Sequence, residues 1–427
     1  MGWARAVVVG VVAVGAVVVA AAGASADAGE PSPAYGVDGR SIDTAGFDPQ
    51  NVVMRPDGST IVLGSDGDRG LALRRYTPTG AHDQSWGDGG EVVISYADID
   101  NDVFPAGLAL DGNKPVVVYT RSEAVAVGEN AWLAVRRFTA RGRPDPTFAG
   151  GGELIANPDQ EELNYAADVS VARNGTITVL GLRAVEAEAI VMRISPTGQL
   201  DTTFSRDGVV RLRWGAASLP IALAVTPTGQ TVVVGIRRND PSSTLSVVRL
   251  TASGRLDRSF GGDGRVSLRY LGNVVTEPTD VIVHGRSTVV VGYSTDDPLE
   301  FGGVALVARL RANGTLDATF GDAGVAAFRA QGRRTAMRAI VRTEDRRYVL
   351  AGSAGPPERV AVVRLGADGV LDTSFGEGGV VVGRYRPRVT SVGSDLALTP
   401  DQRAVVVVGP AVVKNAVRIG SMSLMLR

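Results

Sequence analysis

Along most of the chain, short apolar runs alternate with clusters of Gly, Asp, Asn and Pro. Runs such as TIVLG (60–64), ITVLG (177–181), TVVVG (231–235) and STVVVG (287–292) carry three to four apolar residues and stop at Gly. Runs of this length, bounded by turn residues and rich in Val, predict short strands buried on both faces. Beyond the first twenty-odd positions no long stretch has apolar residues at helical spacing.

Each such run follows a short turn. The pairs read RPDGSTIVLG (55–64), ARNGTITVLG (172–181), TPTGQTVVVG (226–235), HGRSTVVVG (284–292) and TPDQRAVVVVG (399–409), with weaker versions at 110–119 and 342–352. An apolar strand such as DVSVA (168–172) or DLALT (395–399) precedes the turn. Between these elements a sixteen-residue frame recurs six times without a gap: 75–90, 137–152, 193–208, 249–264, 309–324 and 364–379. RLTASGRLDRSFGGDG and RLRANGTLDATFGDAG are two of the copies. A fragment, YGVDG, stands at 35–39.

Each unit of the chain therefore predicts four strands: one before the turn, the VVVG run, one ending at the recurring Arg, and one after the last Gly of the frame. Regular four-stranded units closing on themselves make a β-propeller. Seven turn-plus-run elements predict an all-β chain forming a single seven-bladed β-propeller. The ends predict how it closes. Residues from 35 onward supply only a fourth strand, and the C-terminal segment supplies strands one to three, so the N-terminal strand completes the last blade and removes both open edges. The expected organisation is a signal peptide at 1–26, a short linker at 27–34 and the propeller at 35–427.

The frame RLxxxGxLDxSFGxxG with an intervening PDGxxVVVG resembles the delta-60 repeat, a bacterial β-propeller repeat, and its layout is similar to that of NHL-type propellers. The resemblance covers nearly the whole chain after residue 26. It implies the fold and implies no activity.

The columns of the frame read as structure. The first Gly sits where a tight turn needs positive φ. Asp83, Asp145, Asp201, Asp257, Asp317 and Asp372 each stand two residues before Ser or Thr, the spacing of an Asx-turn. Trp86, Phe148, Phe204, Phe260, Phe320 and Phe375 are expected between neighbouring blades. The recurring Arg is expected to pair with the Asp or with a backbone carbonyl. A ligand site is needed once, whereas this set is present six times.

Both recurring turns fall on one rim. The connections on the other rim vary between repeats: 95–104, 120–132, 156–165, 211–218, 236–243 and 293–303. Irregular loops on a rigid scaffold are where binding residues gather. Candidates there are Trp132 and Trp214, for stacking a sugar or peptide, and Asp296, Asp297 and Glu300, as carboxylates. Asp98, Asp100 and Asp102 have the alternate spacing of a calcium loop but lack its Gly and terminal Glu, so solvated loop acids are the plainer reading.

Composition narrows the function. There is no Cys, which removes disulfides, thiolate metal sites and thiol nucleophiles. The two histidines, His82 and His284, lie inside repeat elements and leave no His-based triad. No phosphate loop, dinucleotide fingerprint or HExxH is present. The formal charge of −1 gives no footprint for nucleic acid. Ala6–Gly23 followed by Ala24-Ser25-Ala26 has the form of a secretory signal cut after Ala26; an uncleaved anchor is the alternative reading. The expectation is a monomer, secreted or in the cell envelope, without cofactor or a membrane span after cleavage. It binds an extracellular protein, peptide or glycan; a glycosidase- or lyase-type enzyme using carboxylates at the central channel is the alternative.

Overall fold

The computed structural model describes residues 27–42, 47–95, 102–124, 129–156, 164–215, 217–239, 242–270, 274–297, 302–385, 390–413 and 416–426. Among them the regular structure is β-strand, apart from two single 3-10 turns at Gly67–Arg69 and Ala330–Gly332. The architecture is all-β and of the β-propeller type.

The strands form antiparallel groups of four, here numbered in chain order. Group 4 shows the plan: Ala217–Val225, Thr231–Asn239, Ser242–Leu250 and Arg265–Leu268, each paired with the next. Groups 1, 2 and 3 span 48–95, 102–156 and 164–212, and groups 5 and 6 span 275–328 and 334–383. Groups 4 and 5 are also linked by a single parallel bridge, Ser243 to Val275. In group 7, Asp395–Leu398, Ala404–Val413 and Ala416–Met425 are joined by Arg40–Ile42 from the N-terminus, in the register Ser41 opposite Ser421.

The second strand of a group has both faces covered, so its residues do not alternate in and out. Val232, Val233 and Val234 are all fully buried. The sheets stack face to face and fill the space between them with Val, Leu and Ile, whose branched side chains suit a pleated surface. In groups 1 to 6 the first strand carries a bulge where it passes the end of the apolar run, which is a Gly except in group 2, where it is Tyr119. At Gly292 an added Cβ would lie 2.2 Å from the Glu277 carbonyl oxygen, so the backbones approach too closely for any side chain.

The frame aromatics fill the gaps between groups. Phe320 packs with Val289 of group 5 and with Tyr348 and Leu350 of group 6. Trp86, Phe148, Phe204, Phe260 and Phe375 occupy the corresponding clusters. Tyr35 is packed with Val52 and Val62 of group 1 and with Val406 and Val408 of group 7. The first strand of each group lies against the first strand of the next, and that of group 7 lies against that of group 1.

Residues 27–34, expected as a linker, hydrogen-bond along the last strand: Gly29 N–H donates to Met425 O at 2.8 Å and Ser32 N–H to Ser423 O at 2.8 Å. The segment expected as a signal peptide, 1–26, lies outside the described residues. Among the described residues no helix is long and apolar enough to cross a membrane.

Candidate functional site

In the frame, one carboxylate organises a turn and a neighbouring sheet together. At Asp317, Oδ1 accepts from the Thr319 N–H at 3.2 Å and from the Thr319 hydroxyl at 2.8 Å. Oδ2 accepts from Arg309 Nε at 2.9 Å. The Arg309 guanidinium lies 4.7 Å from the centre of the Phe320 ring and donates to the carbonyl of Ala367, in the next group, at 2.6 Å. The same Arg–Asp pair recurs at 2.9 Å for Arg137–Asp145, 2.7 Å for Arg193–Asp201, 2.8 Å for Arg249–Asp257 and 2.9 Å for Arg364–Asp372. Arg75–Asp83 is looser at 3.2 Å, since Arg75 also holds Asp57 at 2.9 Å. Desolvation pushes the Asp317 carboxyl up, but the Thr319 hydrogen bonds and the Arg309 charge outweigh it and hold the group at about 2. Gly314 has φ of +85°, and a Cβ there would stand 2.7 Å from Gly261 N of the preceding group.

A second set of carboxylates lies on the inner strands. Asp168, Asp280 and Asp395 occupy equivalent positions on the first strands of groups 3, 5 and 7, the first two just past the bulge. Each accepts the next residue's N–H on Oδ1: Val169 at 2.7 Å, Val281 at 2.7 Å and Leu396 at 2.8 Å. Each also accepts an N–H from the following group on Oδ2: Leu223 at 2.7 Å, Ile340 at 2.9 Å and Val52 at 2.8 Å. The last of these ties group 7 to group 1. Desolvation raises the Asp168 carboxyl to about 7 and that of Asp395 to about 6, against the opposing pull of the backbone donors. Asp280 is pushed well up by the same cause, and by the charges of Asp168 and Asp395.

These residues were not singled out by sequence. DVSVA and DLALT begin with Asp168 and Asp395, and an Asp followed by Val or Leu within a first strand is the signal that marks them. The other groups place Asn51, Gly107, Ala222 and Ala339 there, so no column recurs.

The loop candidates are spread apart. Trp214 is buried and its indole N–H donates to Ile236 O at 3.2 Å, which makes it a packing residue of group 4. Trp132 is partly exposed on the third strand of group 2, opposite Arg121. Asp296 and Asp297 are exposed at the end of the second strand of group 5. Glu300, Asp98 and Asp100 lie outside the described residues, as does the side chain of Asp102. Among the described residues no three His, Asp or Glu side chains are placed to hold a metal ion.

Solved structures with the same fold are distant in sequence. The polysaccharide lyase Uly1 shares 9% identity at a TM-score of 0.50, covering 92% of this chain and 92% of the lyase. Drosophila Semaphorin 2a shares 8% at 0.50, covering 94% and 76%. Trypanosoma rangeli sialidase shares 9% at 0.42, and the match covers 89% of this chain and about half, 55%, of the sialidase. Likeness at such identities is one of fold alone. No curated protein matches the chain in sequence. Residues 226–260, 282–320 and 343–375 match the family described as "Domain of unknown function (DUF5122) beta-propeller". Each of these three segments holds a turn-plus-run element and most of a frame, so the match agrees with the resemblance to a bacterial β-propeller repeat.

Proposed function

We propose that the chain is an exported, non-catalytic β-propeller of seven four-stranded blades, closed by its N-terminal strand, that serves as a binding or scaffold module. One observation carries the non-catalytic part. Asp168, Asp280 and Asp395 each have both carboxylate oxygens engaged by backbone N–H groups of two adjacent blades. A general acid or base must present an oxygen to a substrate proton; here the main-chain donors aim each carboxyl at the two blades it ties together. Closure is supported by the Val52–Asp395 hydrogen bond, the Tyr35 cluster and the pairing of Arg40–Ile42 with the last strand. Binding then falls to the variable connections on the rim opposite the frame turns, where a rigid ring holds irregular segments.

A glycan and peptide array probed with residues 27–427 tests this reading. A single ligand class should saturate, its binding should survive Asp168→Asn, and it should be lost when 238–243 is replaced by a two-residue turn. The raised carboxyls of Asp168 and Asp395 favour a second reading, hydrolysis or lyase chemistry at the channel. Product formation from an array glycan, abolished by Asp168→Asn, would establish that reading and overturn the first. Export is tested by N-terminal sequencing of the secreted protein, which should begin at Asp27; intact chain in the membrane fraction would contradict it.

A further inference from the structure

The frame occurs six times complete and once divided, and the divided copy has lost its ion pair. In group 4 the Asp257 N–H donates to Arg249 O and the Arg249 N–H to Gly264 O, each at 2.9 Å. In group 7 the Ser32 N–H donates to Ser423 O at 2.8 Å and the Ser423 N–H to Gly39 O at 2.9 Å. Ser423 therefore stands in the Arg position, Ser32 in the Asp position and Tyr35 in the aromatic position. Both serines are buried, at 2% and 8% exposed, and Tyr35 packs as the other aromatics do.

The exchange leaves space of a definite kind. In groups 2, 3, 5 and 6 the Arg reaches a carbonyl of the next group, three residues beyond that group's own frame position: Arg137 to Pro196 at 2.8 Å and Arg309 to Ala367 at 2.6 Å, with Arg193 and Arg364 likewise donating to Ala252 and Leu426. By position the corresponding residue of group 1 is Pro78, which lines the pocket. Between groups 6 and 7, where Arg364 fills the gap beside Leu426, the residual cavity is about 10 Å³. Between groups 7 and 1 the equivalent cavity is about 460 Å³, with Ser423 and Pro78 in its wall. Tyr35 and Ser32 also line it, and Asp57 and Asp401 line it on either side.

We propose that this pocket binds a guanidinium group, the arginine side chain of a peptide, in the place that an internal arginine takes in groups 2, 3, 5 and 6. The wall supplies what the internal arginines use. An aromatic ring lies where guanidinium carbons stand 4.5 to 5.0 Å from ring centres in groups 4 and 2. The two hydroxyls and the Pro78 carbonyl are neutral acceptors for a planar donor. Asp57 already holds Arg55 at 3.4 Å and Arg75 at 2.9 Å, so Asp401 is the carboxylate that meets the ligand. Its present cation, Arg403, is 3.9 Å away, and its side chain is largely exposed. The pocket opens on the rim of the frame turns, away from the variable connections, so the inference stands apart from the loop-face reading.

Calorimetric titration of residues 27–427 with Nα-acetyl-arginine N-methylamide, and with its lysine and citrulline analogues, tests it. Arginine should bind saturably at one site, with lysine about tenfold weaker or worse and citrulline silent, because only guanidinium combines charge with a planar fork. The double variant Ser32→Asp/Ser423→Arg rebuilds the internal pair. It should lose arginine binding by at least about tenfold while melting at or above the wild-type temperature. Asp401→Asn, on the exposed rim, should weaken arginine binding without moving the melting temperature. Absence of saturable arginine binding, equal binding of citrulline, or undiminished affinity in either folded variant would overturn the proposal.

Discussion

The inner carboxylates make stability depend on pH in an unusual direction. Burial pushes the Asp168 carboxyl in the folded chain up to about 7, against 3.8 for an ordinary Asp. Between those values the unfolded chain has released the proton and the folded chain has not. Folding is thus favoured at the acid end, and the advantage is lost as pH rises from about 4 to about 7. Each pH unit of separation corresponds to about 1.4 kcal/mol, so Asp168 alone sets a ceiling of about 4 kcal/mol across this range. Asp395, held to about 6, adds in the same direction, and so does Asp280. Part of the shift of Asp280 comes from the charges of Asp168 and Asp395, so the three contributions do not simply add. The frame carboxylates act oppositely: Asp317 at about 2, and Asp201, Asp257 and Asp372, all lowered, give stability that is present above about pH 4 and lost below it. Stability should therefore peak in mild acid, near pH 4 to 5. Urea midpoints measured from pH 4 to pH 8 should fall by an amount worth one to a few kcal/mol. Asp168→Asn, which cannot release a proton, should flatten that slope. Stability that climbs steadily from pH 4.5 to 8, or an Asp168→Asn variant with the full wild-type slope, would refute the reasoning.

Three further outcomes follow from the frame. Phe320→Ala removes a fully buried ring that meets Tyr348 edge-on at 5.8 Å and carries Arg309 at 4.7 Å; urea melts should show a loss of about 3–5 kcal/mol, and Phe260→Ala should behave alike. Asp317→Ala and Asp257→Ala should each cost about 1–3 kcal/mol, with or without added calcium, by the same melts. Calcium dependence in only one of the two would mark a site instead of a scaffold. Gly314→Val forces a β-branched residue to φ of +85° against the backbone of Gly261, and should lower the melting temperature as severely as Phe320→Ala.

The repeat was legible because it recurs. Arg309, Gly314, Asp317, Thr319 and Phe320 each fill a column that six copies share, and the strands around them follow from apolar runs and turn residues. What a column does to its neighbour was less legible. That Arg309 lies over Phe320 and reaches Ala367 depends on how one sheet is set against the next, which no local pattern encodes. The inner aspartates were hidden for another reason: only groups 3, 5 and 7 use them, and Asp395 meets Val52 across 343 positions of sequence. The divided copy was half visible. YGVDG was recognisable, but Ser32 and Ser423 become a pair only when the two ends of the chain meet. Trp214 illustrates the limit of reading loops: it stands next to a variable connection, yet its ring is buried in the sheet.

Closure of the ring by the N-terminal strand is the claim on which the scaffold, the inner carboxylates and the seam pocket all depend. The chain has no Cys, and Ser41 lies directly opposite Ser421 in the antiparallel register. Directly opposed residues in such a ladder have Cα atoms about 4.5–5.5 Å apart, within reach of a disulfide. In Ser41→Cys/Ser421→Cys, mild oxidation should consume both thiols within one molecule, seen as a mass loss of about two hydrogens on the monomer, and should raise the melting temperature reversibly with reductant. Two thiols that remain titratable in the folded, oxidised protein, or that link only between molecules, would contradict closure.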